Sequence, residues 1–399
     1  MIFHKQMLDA LKQVNFNAKV INKIDFNFHF HGGAFVEIVG SSTETFKVEF
    51  RNYETDKVLY STNLDCGHWA KCSFSYFLPY QIQITDSNNQ PVFLHTFSLE
   101  NKRVLICFDS HSLGDNIAWI NAVEEFRKKH NCIIFCSTFW NSLFEKVYPD
   151  INFVKPGTVV EDIYAVYNIG IYLKDNKIDL FRNPVDPRAV PLQKIAFDIL
   201  GLPFEQNKPK IHVARPERQF KEKYITINTS GSAGFKLWHR PGGWREIIDY
   251  VYCKYRLKTV LTQLEPSDLQ HVTVPKDKSI ENTINLIKHS EFHIGTSSGP
   301  LWLAYALKPL DKIIIISGFT ESFNEFPALR PMPKASVCQG CYNKLEDKYL
   351  FFTDKNRGNW NFCPEYEGTN KHFECSKSIS PEDVIQRIDL IFCESYKCK

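Results

Sequence analysis

The chain reads as an α/β protein: two successive parallel-sheet units, a β-rich stretch before them and a cysteine finger near the end. Three observations predict this. Residues 1–99 hold short segments of alternating or β-branched character. From Arg103 onward, continuous apolar runs alternate with stretches of helical spacing. That is the pattern of strands buried on both faces and joined by crossover helices. Cys338, Cys341, Cys363 and Cys375 then cluster in a polar C-terminal stretch.

The first domain predicted is residues 1–99. AFVEIVG, TFKVEFRN, KVLYSTNL, YQIQITD and VFLHTFSL read as strands, with a hairpin turn at Asp86–Pro91. A small sandwich or barrel fits, serving binding, assembly or simple capping. The second domain, 100–204, opens with RVLICFDS, the helix IAWINAVEEFRKKH and the strand NCIIFCST. It continues through WNSLFEKVY (helical), INFVKP, DIYAVYNIGIYL and the helix around PLQKIAFDILGL. Residues 205–223 are a polar, charged linker with room for one short strand, KIHVA. The third domain, 224–399, runs through YITINTS, GWREIIDYVYCKY, LKTVLT, SIENTINLIKHS, EFHIG, LWLAYAL and DKIIIISG. It includes the finger, 336–376. Ser380, then Pro381, opens a last helix as N-cap and first helical residue.

Composition narrows the function classes. With 399 residues, two or three domains are expected. A net charge of only +3 excludes a whole-chain basic field aimed at nucleic acid. No apolar run approaches the ~20 residues of a membrane helix, so no stable membrane insertion is expected. The N-terminal MIFHKQMLDALKQVNF lacks the layout of a secretory signal, which predicts a cytoplasmic protein. Thiols there are packing groups or metal ligands, not disulfides. Cys107, Cys132, Cys136 and Cys253 sit in apolar surroundings and read as packing.

In open α/β sheets, ligands bind beyond the carboxyl ends of the strands. Three loops there carry chemistry. The first is Asp109-Ser110-His111-Ser112-Leu113-Gly114-Asp115. Asp115 starts a helix, where it either complements the helix dipole or serves as a general base for an acceptor hydroxyl. Asp109 and His111 are secondary candidates. The second loop runs from Thr229 to Trp238 and holds Ser230, Gly231 and Lys236. Small residues suit phosphate cradling, and Lys236 would offset a diphosphate leaving group. The third is Gly295-Thr296-Ser297-Ser298-Gly299-Pro300. Its helix start would bind phosphate or be capped by Ser298. No Asp-x-Asp triplet occurs, which argues against a carboxylate-bound metal gripping the diphosphate.

Cys338-Gln339-Gly340-Cys341 is a knuckle, and Cys363 and Cys375 complete a tetrahedral thiolate set for zinc or iron. Cys393 and Cys398 are the alternative ligands. Four thiolates leave no open position, so the predicted role is structural, with a redox dithiol as the runner-up. The residues between the ligands show little core of their own.

The Leu113-Gly114-Asp115 turn, the Lys236-x-Trp238 loop and the Gly295–Gly299 turn resemble those of bacterial heptosyltransferases. The β-rich start and cysteine finger bring the likeness to the autotransporter heptosyltransferases, which glycosylate adhesins before export. The resemblance implies a GT-B fold with two Rossmann-like domains, ADP-heptose as nucleotide-sugar donor and serine hydroxyls of an autotransporter adhesin passenger as acceptors. It further implies one iron per chain and a homo-oligomer, a dodecamer in the family. Asp115 takes the position of the catalytic aspartate and Lys236 that of the lysine facing the donor phosphates. Ser230, Gly231, Trp238, His111 and Gly295 to Gly299 are the expected substrate-binding residues. In lipopolysaccharide heptosyltransferases the third turn carries an aspartate; Thr296, Ser297 and Ser298 stand here instead. That departure points away from the lipopolysaccharide branch; a lipopolysaccharide core heptosyltransferase, with the same chemistry on a lipid-linked sugar, is one rival, and a metal-finger nucleic-acid-binding protein the other. Near the cysteines, Lys344, Lys348, Lys355, Arg357 and Lys371 are mixed with six acidic residues, a poor balance for phosphate binding.

Overall fold

The computed structural model describes residues 24–262, 269 and 271–396. The N-terminal segment read for a leader and the alternative ligand Cys398 lie outside these. Seven N-terminal strands are β1 (Asp25–His31), β2 (Phe35–Val39), β3 (Thr45–Asn52), β4 (Lys57–Asp65), β5 (Trp69–Lys71), β6 (Tyr80–Thr85) and β7 (Pro91–Thr96). The turn before β7 forms as its sequence demands. The Asp86 carboxylate accepts from the amides of Asn88 and Gln90, and Asn89 takes a left-handed conformation.

The first parallel sheet is built on β8 (Arg103–Phe108), β9 (Ile133–Ser137), β10 (Ile151–Val154) and β11 (Ala165–Ile169), followed by the small hairpin β12 (Leu173–Lys174) and β13 (Lys177–Ile178). Its full order is β10-β9-β8-β11-β1-β2-β5. The sheet therefore crosses the seam expected at residue 99. β1 pairs in parallel with β11 through Phe30↔Ala165 and His31↔Val166, and β2 and β5 add on antiparallel. The remaining strands form an antiparallel sheet, β4-β3-β6-β7. Its inner side chains Phe46, Val48, Phe50, Ile82 and Ile84 merge into one core with Val104 and Ile106. The N-terminal β region is thus partly an extension of the parallel sheet and not a freestanding sandwich or barrel. The physical reason is β11: buried apolar strands rarely end a sheet uncovered, and β1 supplies the missing neighbour.

The second parallel sheet comprises β14 (Tyr224–Asn228), β15 (Lys258–Leu261), β16 (Val272–Thr273), β17 (His293–Gly295) and β18 (Ile313–Ile315), in the order β16-β15-β14-β17-β18. All five residues of β14 are buried, as a strand covered on both faces requires. The helices Gly243–Tyr255 and Pro381–Tyr396 pack on this sheet through Ile247, Val251, Val384 and Ile388. Ser380 caps the latter: its hydroxyl accepts from the Asp383 amide while the Asp383 carboxylate accepts from the Ser380 amide.

Two expected elements come out differently. WNSLFEKVY contributes only one helical turn, Asn141–Phe144. KIHVA forms no strand. Residues 203–223 instead run as an irregular strap pinned to both units. The Lys210 amide donates to the Tyr148 hydroxyl and the His212 amide to the Leu143 carbonyl. On the other side, Asn285 donates to the carbonyls of Arg215 and Glu217. Among the described residues, no helix is long and apolar enough to cross a membrane.

Candidate active site between the two sheets

The helices that begin after β8 and β17, Leu113–His130 and Gly299–Leu307, meet start to start. A Cβ on Gly114 would stand 2.8 Å from Trp302 Cδ1, and one on Gly299 would stand 3.0 Å from Leu113 Cδ2. The two motif glycines are therefore the points where the units interlock, since any larger residue would push them apart. Neither helix has a side-chain cap. The Ser298 hydroxyl, expected as a cap, instead donates to the Thr296 carbonyl at 3.1 Å and accepts from Asn228 at 2.9 Å.

Asp115 lies half-buried in the first turn of its helix. Its carboxylate accepts from the Ser110 hydroxyl at 2.6 Å. Burial pushes its carboxyl above the usual range, while Ser110, the Lys236 charge and Ser112 pull it back. Lys236, from the glycine loop after β14, is pushed below the usual lysine value by burial. The charges of Asp115 and Glu325 oppose that. One carboxylate and one ammonium, from loops of opposite sheets, thus influence each other. The Lys236 ammonium also reaches the Ser232 hydroxyl at 3.3 Å.

The other expected residues divide. Gly231 lies against the Lys236 side chain, 3.2 Å from its Cβ. Asn228 joins the loops by donating to the Ser230 carbonyl and the Ser298 hydroxyl. Thr296 is fully buried and donates weakly to the Ser230 carbonyl, and Gly295 closes on the His293 ring. Ser297 donates to Glu325 at 2.6 Å. Trp238 is not brought to the cleft. It is 5% exposed, packs on Gly243 and Trp244, and donates its indole N–H to the Ile379 carbonyl. His111 sits on the exposed rim, stacked on Phe139. Asp109 is engaged elsewhere, by the Tyr172 hydroxyl and Arg182.

Sequence reasoning missed Glu325, Arg330 and Tyr342. Glu325 is fully buried and paired with Arg330 at 2.8 Å. Tyr342, next to Cys341, senses the charges of Asp115 and Glu325; burial first, then those carboxylates, push its hydroxyl up. No spacing rule marks any of the three.

Cys341 and Cys363 share one buried cluster, and Cys375 lies against Gly318 beside it. Cys341 is pushed up to about 12 by burial and then by Cys375, Cys338 and Cys363, and Cys375 up to about 12 by burial and by Cys338 and Cys363. None is in a disulfide. Among the described residues, no group of three or more His, Cys, Asp or Glu side chains stands in metal-holding geometry. The donor chemistry of four thiols fits a soft or borderline ion. Contrary to expectation, the finger has a core: Tyr349, Phe362 and Phe373 pack with Ala233, Phe235 and Phe319. The glycine loop supplies part of it, so the finger buttresses the segment that carries Lys236. From the first unit, Arg188 donates to the carbonyls of Lys344, Leu345 and Glu346.

No family model matches the sequence. Individual proteins do. The chain is 29% identical to the autotransporter heptosyltransferase Aah of Escherichia coli, over 83% of this chain and 85% of Aah. It is 28% identical to the inactive autotransporter heptosyltransferase BimC of Burkholderia thailandensis, over 86% and 80%. The chain is a homologue of the autotransporter heptosyltransferases. A crystal structure of dodecameric, iron-containing heptosyltransferase TibC in complex with ADP-D-beta-D-heptose superposes with a TM-score of 0.80 at 23% identity, covering 95% of this chain and all of TibC. That likeness gives this autotransporter-heptosyltransferase homologue a GT-B-like fold.

Proposed function

We propose that this chain transfers heptose from ADP-heptose to serine hydroxyls of an autotransporter adhesin passenger, with inversion at the anomeric carbon. The observation that carries the reading is the interlocking of the helix starts at Gly114 and Gly299, which brings the loops bearing Asp115 and Lys236 together, each charge influencing the other. Similarity alone does not decide activity, because one relative is described as inactive; a carboxylate and an ammonium that influence each other support an active enzyme. In this reading Asp115 takes the proton from the acceptor hydroxyl. The freed oxygen attacks the anomeric carbon, the bond to the diphosphate breaks, and ADP leaves against Lys236 and the start of Gly299–Leu307. Ser230, Gly231 and Thr296 to Gly299 shape the donor side.

Cys338, Cys341, Cys363 and Cys375 would hold one iron per chain, zinc being the other ion such thiols accept. Bound there, the ion supplies cross-links that hold the finger against the glycine loop. The chain assembles as a homo-oligomer in this reading, a dodecamer as TibC is described to be. The N-terminal β region would serve that assembly or acceptor binding.

Co-expression with an autotransporter passenger, followed by mass spectrometry of the passenger, tests the function. Increments of one heptose on serine are expected. An unmodified passenger, or heptose found on lipopolysaccharide core instead, would overturn it.

A further inference from the structure

We propose that Glu325 is a positioning residue of the cleft. Its buried carboxylate, fixed by Arg330, holds the Thr296–Ser298 turn through Ser297, against the loop that carries Lys236. This rests on the reading of Lys236 as the group facing the donor diphosphate.

The geometry is specific. The Glu325 side chain is wholly enclosed, so it does not touch substrate. One carboxylate oxygen accepts from the Ser297 hydroxyl at 2.6 Å and from Asn324 at 3.3 Å. The other is bound by Arg330 at 2.8 Å. Arg330 in turn donates to the Thr320 hydroxyl at 3.0 Å and the Glu321 carbonyl at 3.3 Å, so the pair is anchored to the segment after β18. A buried carboxylate with both oxygens bonded, one of them by a guanidinium, is held immobile. Its charge reaches Lys236, the same ammonium that faces Asp115. The groups around this pair of charges are Asp115, Arg330 and the Tyr342 hydroxyl, which itself faces Asp186 and Arg188.

The arrangement resolves a conflict in the cleft. An ammonium in a crowded, poorly solvated site tends to lose its proton, and it would then do little for a departing diphosphate. Asp115 cannot be its permanent counter-charge, because a general base is neutralised when it takes up the acceptor proton. Glu325 does not turn over, so its charge persists through that step.

Calorimetric binding of ADP alone, measured between pH 7 and 10, tests this. Removing the Glu325 charge lowers the pH at which Lys236 loses its proton. In Glu325→Gln the alkaline loss of ADP affinity should therefore begin about half a unit or more below that of the unaltered chain. Ser297→Ala, which keeps the ion pair, should weaken ADP binding without moving that pH. Coincident pH profiles for Glu325→Gln and the unaltered chain would overturn the proposal. So would a shift in Ser297→Ala equal to that in Glu325→Gln. If the single variant fails to fold because Arg330 is left unpaired, E325Q/R330M removes both charges; the lost cation offsets part of the lost anion, so a smaller displacement in the same direction is required. Failure of passenger glycosylation would instead strike the functional reading, and the ADP titration is independent of it.

Discussion

At the residue scale, the cleft turns on how one carboxylate is tuned. The Ser110 hydroxyl stabilises ionised Asp115, so Ser110→Ala should raise the Asp115 value. In its proposed role as base Asp115 must be ionised to act, so the acid limb of the transfer rate moves to higher pH; a pH profile of kcat/KM reads this directly. Asp115→Asn should lower transfer by roughly 10²–10⁴-fold while leaving ADP affinity nearly unchanged, as kinetics and calorimetry would show. Asp115 and Lys236 were legible in the sequence because they lie in short loops just after apolar strands, where topology alone places ligands. Glu325 was not, because its partner Ser297 is distant in sequence and meets it only after the second sheet closes. Trp238 was misplaced for a related reason. An aromatic beside a glycine-rich loop reads as a binding platform, yet its indole fills the core over Gly243.

At the element scale, the interlocked helix starts and the finger strap decide the cleft's shape. Gly299→Ala forces a methyl against Leu113, and the expected cost is about 1–3 kcal/mol, visible as a lower Tm. Arg188 bridges from the first unit to three consecutive finger carbonyls. Arg188→Ala should destabilise by roughly 2 kcal/mol and raise hydrogen exchange around Lys344 to Glu346 above that of the sheet cores. The long helices were readable: GWREIIDYVYCKY coincides with Gly243–Tyr255, because its apolar positions recur at helical spacing. The finger's core was hidden because it is assembled from Phe235 and Phe319, far outside the cysteine spacing.

At the scale of the whole molecule, a metal-held finger should couple cofactor content to stability. Purified protein should contain about one iron or zinc per chain by elemental analysis. Cys341→Ser should lose it and melt at lower temperature. The two-sheet plan was evident from alternating strands and helices, whereas the joint between the N-terminal strands and the first sheet was not. DFNFHFH carries no feature that tells a parallel neighbour of β11 from a strand in a separate barrel. That joint has a practical consequence. A shortened chain beginning at residue 100 would lack β1 and leave one side of β11 with unpaired amides and carbonyls. Such an open rim invites pairing with other copies, so the truncated protein should precipitate where the full one stays dispersed.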